Sequence, residues 1–126
     1  MDQVDSTSTS KAIGQHLLVD MYGINADRLC DGPGLVQLLL DSLASCGFNI
    51  VHHCSHEFPG AVSGATAVVL LAESHATFHS YPEHQYLAVD IFSCGKADPH
   101  HVVDRLTDAL QPERIVVSAN ERGGQR

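Results

Sequence analysis

The chain has 126 residues, 44% of them hydrophobic, and a formal net charge of −8 with only seven Lys and Arg. That length fits one domain with a small core, which gains from further burial against a second copy. The acidic balance argues against a nucleic-acid surface, no stretch approaches the ~20 apolar residues of a membrane span, and four cysteines without a CxxC pair or a leading signal peptide fit reduced thiols in a cytoplasmic protein.

Residues 1–12 are polar and read as a disordered arm. Residues 15–22 predict a strand with Leu17, Val19 and Met21 on one face. Residues 33–46 predict a helix: Leu35, Leu38, Leu39, Leu43 and Cys46 recur at helical spacing, Pro33 stands near the start and Gly47 can cap the end. A strand over 48–54 follows. The Pro, Gly and Ser content of 59–65 marks a loop. Residues 66–73, TAVVLLAE, are apolar at nearly every position, which predicts a strand buried on both faces. The β-like stretch after Glu73 leads into a further strand, 86–93. There Leu87, Val89 and Ile91 face one way, and Tyr86, Ala88, Asp90, Phe92 and then Cys94 the other. Asp98-Pro99 starts a second helix carrying Val102, Val103, Leu106, Ala109 and Leu110. A short strand at 114–118 closes a domain spanning 13–119, and 120–126 read as a disordered tail.

The order β-α-β-β-β-β-α-β gives an α/β (α+β) two-layer sandwich, a mainly antiparallel sheet with two helices on one face. The other face is too apolar to leave in water. The expectation is a homodimer with the two sheets facing each other.

His52, His53 and His56 show no closed ligand set of recognisable spacing, and Pro82 argues against a helical His75/His79 pair, so no metal is expected. Asp20 and Asp90 are carboxylates inside strands, where an unpaired charge is costly. Cys30, Cys46 and Cys54 read as structural.

The stretch AESHATFHSYPEH, 72–84, raises the chemical question. By default Ser74 is a turn residue at a strand end. A serine hydroxyl there can also attack the carbonyl of the residue before it, Glu73, replacing the amide by an ester. Elimination then gives dehydroalanine, which hydrolyses to a pyruvoyl group and cuts the chain into 1–73 and 74–126. That path needs oxyanion donors and a proton carrier, for which His79 and Thr66 are available. Strand parity does not put Ser74 and His79 on one face.

The run LLAESHATFHSYPEHQYLAVDIFSCG, Leu70 to Gly95, resembles the signature of the prokaryotic S-adenosylmethionine decarboxylases. It carries Glu73-Ser74-His75, a His five residues after the Ser, Tyr81-Pro82-Glu83, and a strand end Val89-Asp90-Ile91-Phe92-Ser93-Cys94-Gly95. GQHLLVDMYG from Gly14 and SHEF from Ser55 extend the resemblance over residues 13–111. It implies that Ser74 becomes the pyruvoyl group, with Glu73 the new chain end and His79 and Thr66 assisting cleavage. It further implies that Cys94 reprotonates the substrate carbon, Phe58 stacks on adenine and Glu83 accepts from the ribose hydroxyls. The substrate amine would form a Schiff base with the pyruvoyl ketone, without pyridoxal phosphate. The product would be the aminopropyl donor for spermidine, made by a homodimer of processed chains.

Asp20 replaces a common Glu, Tyr81 a common Trp and Gln85 a common Gly, and the loop between Phe58 and Thr66 is about two residues longer than in short bacterial forms. Relatives on this scaffold decarboxylate ornithine or arginine, which the cleavage motif does not separate. A non-catalytic relative that stays uncut and binds a partner decarboxylase is the third reading.

Overall fold

The computed structural model describes residues 12–124. The arm expected over 1–12 falls almost wholly outside them, as does the end of the tail. The elements are β1 (Gly14–Tyr22), α1 (Ala26–Leu29), α2 (Gly32–Ser45), β2 (Ile50–Glu57), β3 (Ala65–Leu71), β4 (Ser74–Tyr81), a 3-10 turn (Pro82–His84), β5 (Tyr86–Ser93), α3 (Pro99–Leu110) and β6 (Arg114–Arg122). They form one antiparallel sheet in the order β2-β3-β4-β5-β1-β6.

Helix starts follow the sequence signals. Asp31 caps α2 by accepting from the Gly34 N–H at 3.0 Å, and Asp98 caps α3 by accepting from the His100 N–H at 2.9 Å. Each cap contributes about 1 kcal/mol. The His100 N–H is also the main reason the Asp98 carboxyl sits below its ordinary pKa; the His100 ring adds to it.

The core lies between the helices and one sheet face. Leu35, Leu39 and Leu43 of α2 and Val102, Leu106 and Leu110 of α3 pack with Leu17, Val19, Met21, Val69, Phe78, Val89 and Ile91. Burial of each large side chain stabilises by about 1.5–3 kcal/mol before entropy is counted.

β3 departs from the expectation of two buried faces. Ala65, Ala67, Val69 and Leu71 are buried, while Leu70 is 47% exposed and Val68 is half-buried. Helices cover only the inner face, so a continuous apolar run is left open on the outer one. Leu18, Leu70, Tyr81 and Val116 all stand exposed there.

Two further boundaries differ, and one short helix was not predicted. β2 is displaced toward its C-terminal end from the predicted 48–54, because Phe48 packs into the core rather than joining the ladder. β6 runs past Ala119 to Arg122, since β1 offers a full-length partner from Gly14 to Tyr22. The short α1 has no apolar periodicity to betray it. It is tied down by buried Ser80, whose hydroxyl donates to Leu29 O at 3.0 Å and accepts from the Ala65 N–H at 2.9 Å.

Candidate active site

β3 ends at Leu71 and β4 begins at Ser74, with those two residues paired across the hairpin. Ser74 therefore opens a strand rather than ending the one before it. Ala72 and Glu73 make the whole turn. Hairpins this tight favour Gly or Asn where φ is positive, yet Glu73 holds φ +62°. A left-handed conformation costs an L-residue about 1–2 kcal/mol. The strain falls on the residue whose carbonyl precedes Ser74.

Cys94 follows β5 directly and turns back onto this hairpin. Its thiol donates to the Glu73 carbonyl oxygen at 2.7 Å, and Sγ lies 3.7 Å from Ser74 Oγ. Its backbone N–H donates to Ser74 Oγ at 3.2 Å. Ser93 Oγ donates to Ala97 O at 3.0 Å and so steadies the loop that carries the thiol. A cleft of about 630 Å³ opens beside Cys94, lined by Gly14, Gln15, Lys96, His100 and Glu121 among others. A donor aimed at a carbonyl oxygen, with a hydroxyl alongside, is the arrangement that addition to that carbonyl requires.

The other predicted residues gather elsewhere. Thr66 and His79 are paired across β3 and β4, with Thr66 Oγ1 3.0 Å from His79 Nδ1. Phe58 extends just past β2, 48% exposed, with its ring edge-on to His56 at 5.1 Å between centroids. Its N–H donates to Gly64 O at 2.9 Å, closing the loop. Gly64 is required there, because a Cβ would come within 2.1 Å of Ser80 O. Glu83 is exposed on the 3-10 turn that follows β4. Ser74 and His79 stand at opposite ends of β4, about 17 Å apart at the usual rise per residue. No turn or bulge brings them together within one chain. The residues expected to form one site form two half-sites.

Sequence reasoning missed the polar network on the outer face between them. Asp90 accepts from Thr77 Oγ1 on one oxygen, and on the other lies 2.6 Å from His16 Nε2 and 3.4 Å from His75 Nε2. Burial raises the Asp90 pKa, but the hydrogen bonds from Thr77, His16 and His75 outweigh it. The carboxyl rests below its ordinary value. His16, His75 and Asp90 are also the one His/Cys/Asp/Glu set among the described residues whose ligand atoms lie within 4.8 Å of one another. Asp20, the other in-strand carboxylate, accepts from the Tyr86 hydroxyl. Burial, first, and this bond push the Tyr86 pKa up. The alternation of β1, β4 and β5 carried the signal, once their register was known.

The family model described as S-adenosylmethionine decarboxylase matches residues 15–123. A relative called S-adenosylmethionine decarboxylase proenzyme, from Methanococcus maripaludis strain C5, is 34% identical over 114 residues, covering 90% of this chain and 92% of its own. One called arginine decarboxylase proenzyme, from Ignicoccus hospitalis, is 29% identical over 133 residues, covering 100% of this chain and 92% of its own. The crystal structure of the adenosylmethionine decarboxylase from Aquifex aeolicus superposes with a TM-score of 0.80 at 32% identity, covering 93% of this chain and 96% of that one. Only the chain ends fall outside the matched residues, and by sequence and fold alike this chain belongs to the prokaryotic S-adenosylmethionine decarboxylase proenzyme family, whose members are carboxy-lyases.

Proposed function

We propose that the chain cuts itself between Glu73 and Ser74, converts Ser74 to a pyruvoyl group, and decarboxylates S-adenosylmethionine. The observation that carries this is the Cys94 thiol 2.7 Å from the Glu73 carbonyl oxygen, on a residue at φ +62°, with Ser74 Oγ alongside.

Ser74 Oγ adds to the Glu73 carbonyl carbon while the thiol stabilises the developing charge on its oxygen. The Glu73–Ser74 amide breaks as its nitrogen takes a proton, leaving an ester. Loss of the Ser74 Cα proton expels the Glu73 carboxylate. Hydrolysis of the resulting dehydroalanine releases ammonia and leaves the ketone.

A base must reach Ser74 for that loss, and His79 of the same chain does not. A second copy placed outer face to outer face, about a two-fold axis between the sheets and perpendicular to the strands, reverses strand direction. Its His79–Thr66 end then meets the Ser74 end of the first. The same pairing covers Leu18, Leu70 and Val116, whose exposure one chain leaves unexplained. Phe58 and Glu83 of the second copy arrive with His79, beside Ser74 and Cys94 of the first.

The bound ketone supplies an electron-withdrawing carbonyl toward which the substrate amine is directed, so that carbon dioxide can leave. The chain's own residues do the rest. Phe58 offers an exposed ring to a flat base, Glu83 a carboxylate to ribose hydroxyls, and Cys94 a proton to the carbon that loses its carboxylate. Arginine or ornithine is the second reading, motivated by the Ignicoccus relative called arginine decarboxylase proenzyme. Carbon dioxide release assayed in parallel on S-adenosylmethionine, arginine and ornithine decides between them. Intact mass before and after borohydride tests the cut and the ketone. One uncut chain without a reducible carbonyl overturns both readings and favours a non-catalytic partner of a decarboxylase.

A further inference from the structure

The cleavage chemistry uses Ser74, Cys94, His79 and Thr66, and leaves the Asp90 network without a task. That network draws on three neighbouring strands: His16 from β1, His75 and Thr77 from β4, and Asp90 from β5. Its hydrogen positions follow from its edge. Arg122 Nη1 lies 3.4 Å from His16 Nδ1, and a guanidinium only donates, so Nδ1 accepts. In the neutral ring the remaining hydrogen is then on Nε2, which donates to Asp90. The carboxylate thus receives three donors, from Thr77, His16 and His75, and is an engaged hydrogen-bond node rather than a vacant ligand set. The His75 ring is further held against Phe92, stacked at 5.9 Å and 22°, with the His16 ring edge-on at 5.6 Å.

Position gives the node its meaning. In the uncut chain, residue 74 is tethered on both sides by the two-residue turn and by β4. After cleavage, the reading on which this inference rests, residue 74 becomes the first residue of its fragment. The turn no longer holds it, and a pyruvoyl end has no ammonium to anchor by charge. First residues of strands fray unless tied down. The only side chain that can tie this one from the adjacent position is His75. A reactive group displaced by about 1 Å can lose on the order of 100-fold in rate.

We propose that Asp90, acting through His75 with Thr77 and His16 in support, is a clamp that becomes necessary only after self-cleavage and holds the new chain end beside Cys94. These are positioning residues.

The test uses the full-length, self-processed protein. His75→Ala and Asp90→Asn should still cut to 1–73 and 74–126 and carry a borohydride-reducible end. Their kcat should fall roughly 10- to 100-fold with KM moved far less. His75→Gln, which keeps a side-chain N–H at similar reach, should recover most of the loss. Hydrogen exchange separates the clamp from ordinary structural support. Protection at residues 75–78 should drop in the cut His75→Ala protein, but little when His75→Ala is placed in an uncut Ser74→Ala chain. Wild-type kcat in cut His75→Ala and Asp90→Asn overturns the proposal. So does failure of both to cut while folded, or an equal loss of protection in cut and uncut chains. A wild-type chain that never cuts is a different result, since it removes the cleavage reading itself.

Discussion

His79 and Ser74 share β4 but stand at its opposite ends, and each is engaged there with a different partner: His79 with Thr66 at 3.0 Å, Ser74 with the backbone N–H of Cys94 at 3.2 Å. The fold thus holds the serine and the histidine that the chemistry would couple, and keeps them apart in a single chain. The proposed pairing of two copies would join them.

That arrangement predicts complementation. His79→Ala alone and Ser74→Ala alone should each stay as one chain. Co-expressed with distinguishable masses, they should form mixed dimers in which the His79→Ala chain, which keeps its own Ser74, is cut by the histidine of the Ser74→Ala chain. Intact mass reads the outcome. Cutting of His79→Ala by itself, or no cutting in verified mixed dimers, would show that the histidine does not act across the interface.

On the proposed self-cleavage, the thiol at 2.7 Å from the Glu73 carbonyl oxygen would give Cys94 a part in maturation as well as in turnover. Cys94→Ala should cut on the order of 100-fold more slowly, the usual cost of removing one donor to a developing oxyanion. Once cut, it should lose most of its decarboxylation. Cys94→Ser keeps a hydroxyl donor and should cut faster than the Ala variant. A time course of fragment appearance, followed by a turnover assay on matured protein, separates the two roles.

Strain at Glu73 makes a third expectation. In an uncut Ser74→Ala background, Glu73→Gly should stabilise the chain by about 1 kcal/mol, because Gly takes φ +62° without a Cβ penalty. In the Ser74 chain the same substitution should slow cutting, since relief of the turn is lost as a driving force. Urea denaturation measures the first effect and intact mass the second. A destabilised Glu73→Gly chain would mean that the surroundings hold the turn without strain.

Asp90 predicts the acid limb. Its folded pKa is depressed below the ordinary 3.8, so its contribution to stability is present above that value and is lost as pH falls through the lower folded one. Thermal melts of wild type should therefore fall more steeply below about pH 4 than those of Asp90→Asn. Parallel slopes would show that the Thr77, His16 and His75 bonds do not favour the charged carboxylate.

Sequence by itself determined the elements whose side chains obey one period. Leu35, Leu39 and Leu43 mark α2, and Leu87, Val89 and Ile91 mark the inner face of β5, because each set must face one core. It also carried the family resemblance, since Glu73-Ser74-His75, His79, Tyr81-Pro82-Glu83 and Cys94-Gly95 are read in order along the chain. Period alone could not tell that β3 is covered on one side only, because an apolar run looks the same whether its second face meets helices or stays open. Tertiary structure decided which residues meet. Cys94 reaches Glu73 across 21 positions, and Asp90 reaches His16 across 74, through strand register that no local pattern encodes. It also set Thr66 and His79 against each other and away from Ser74, because an extended strand keeps its two ends as far apart as its length.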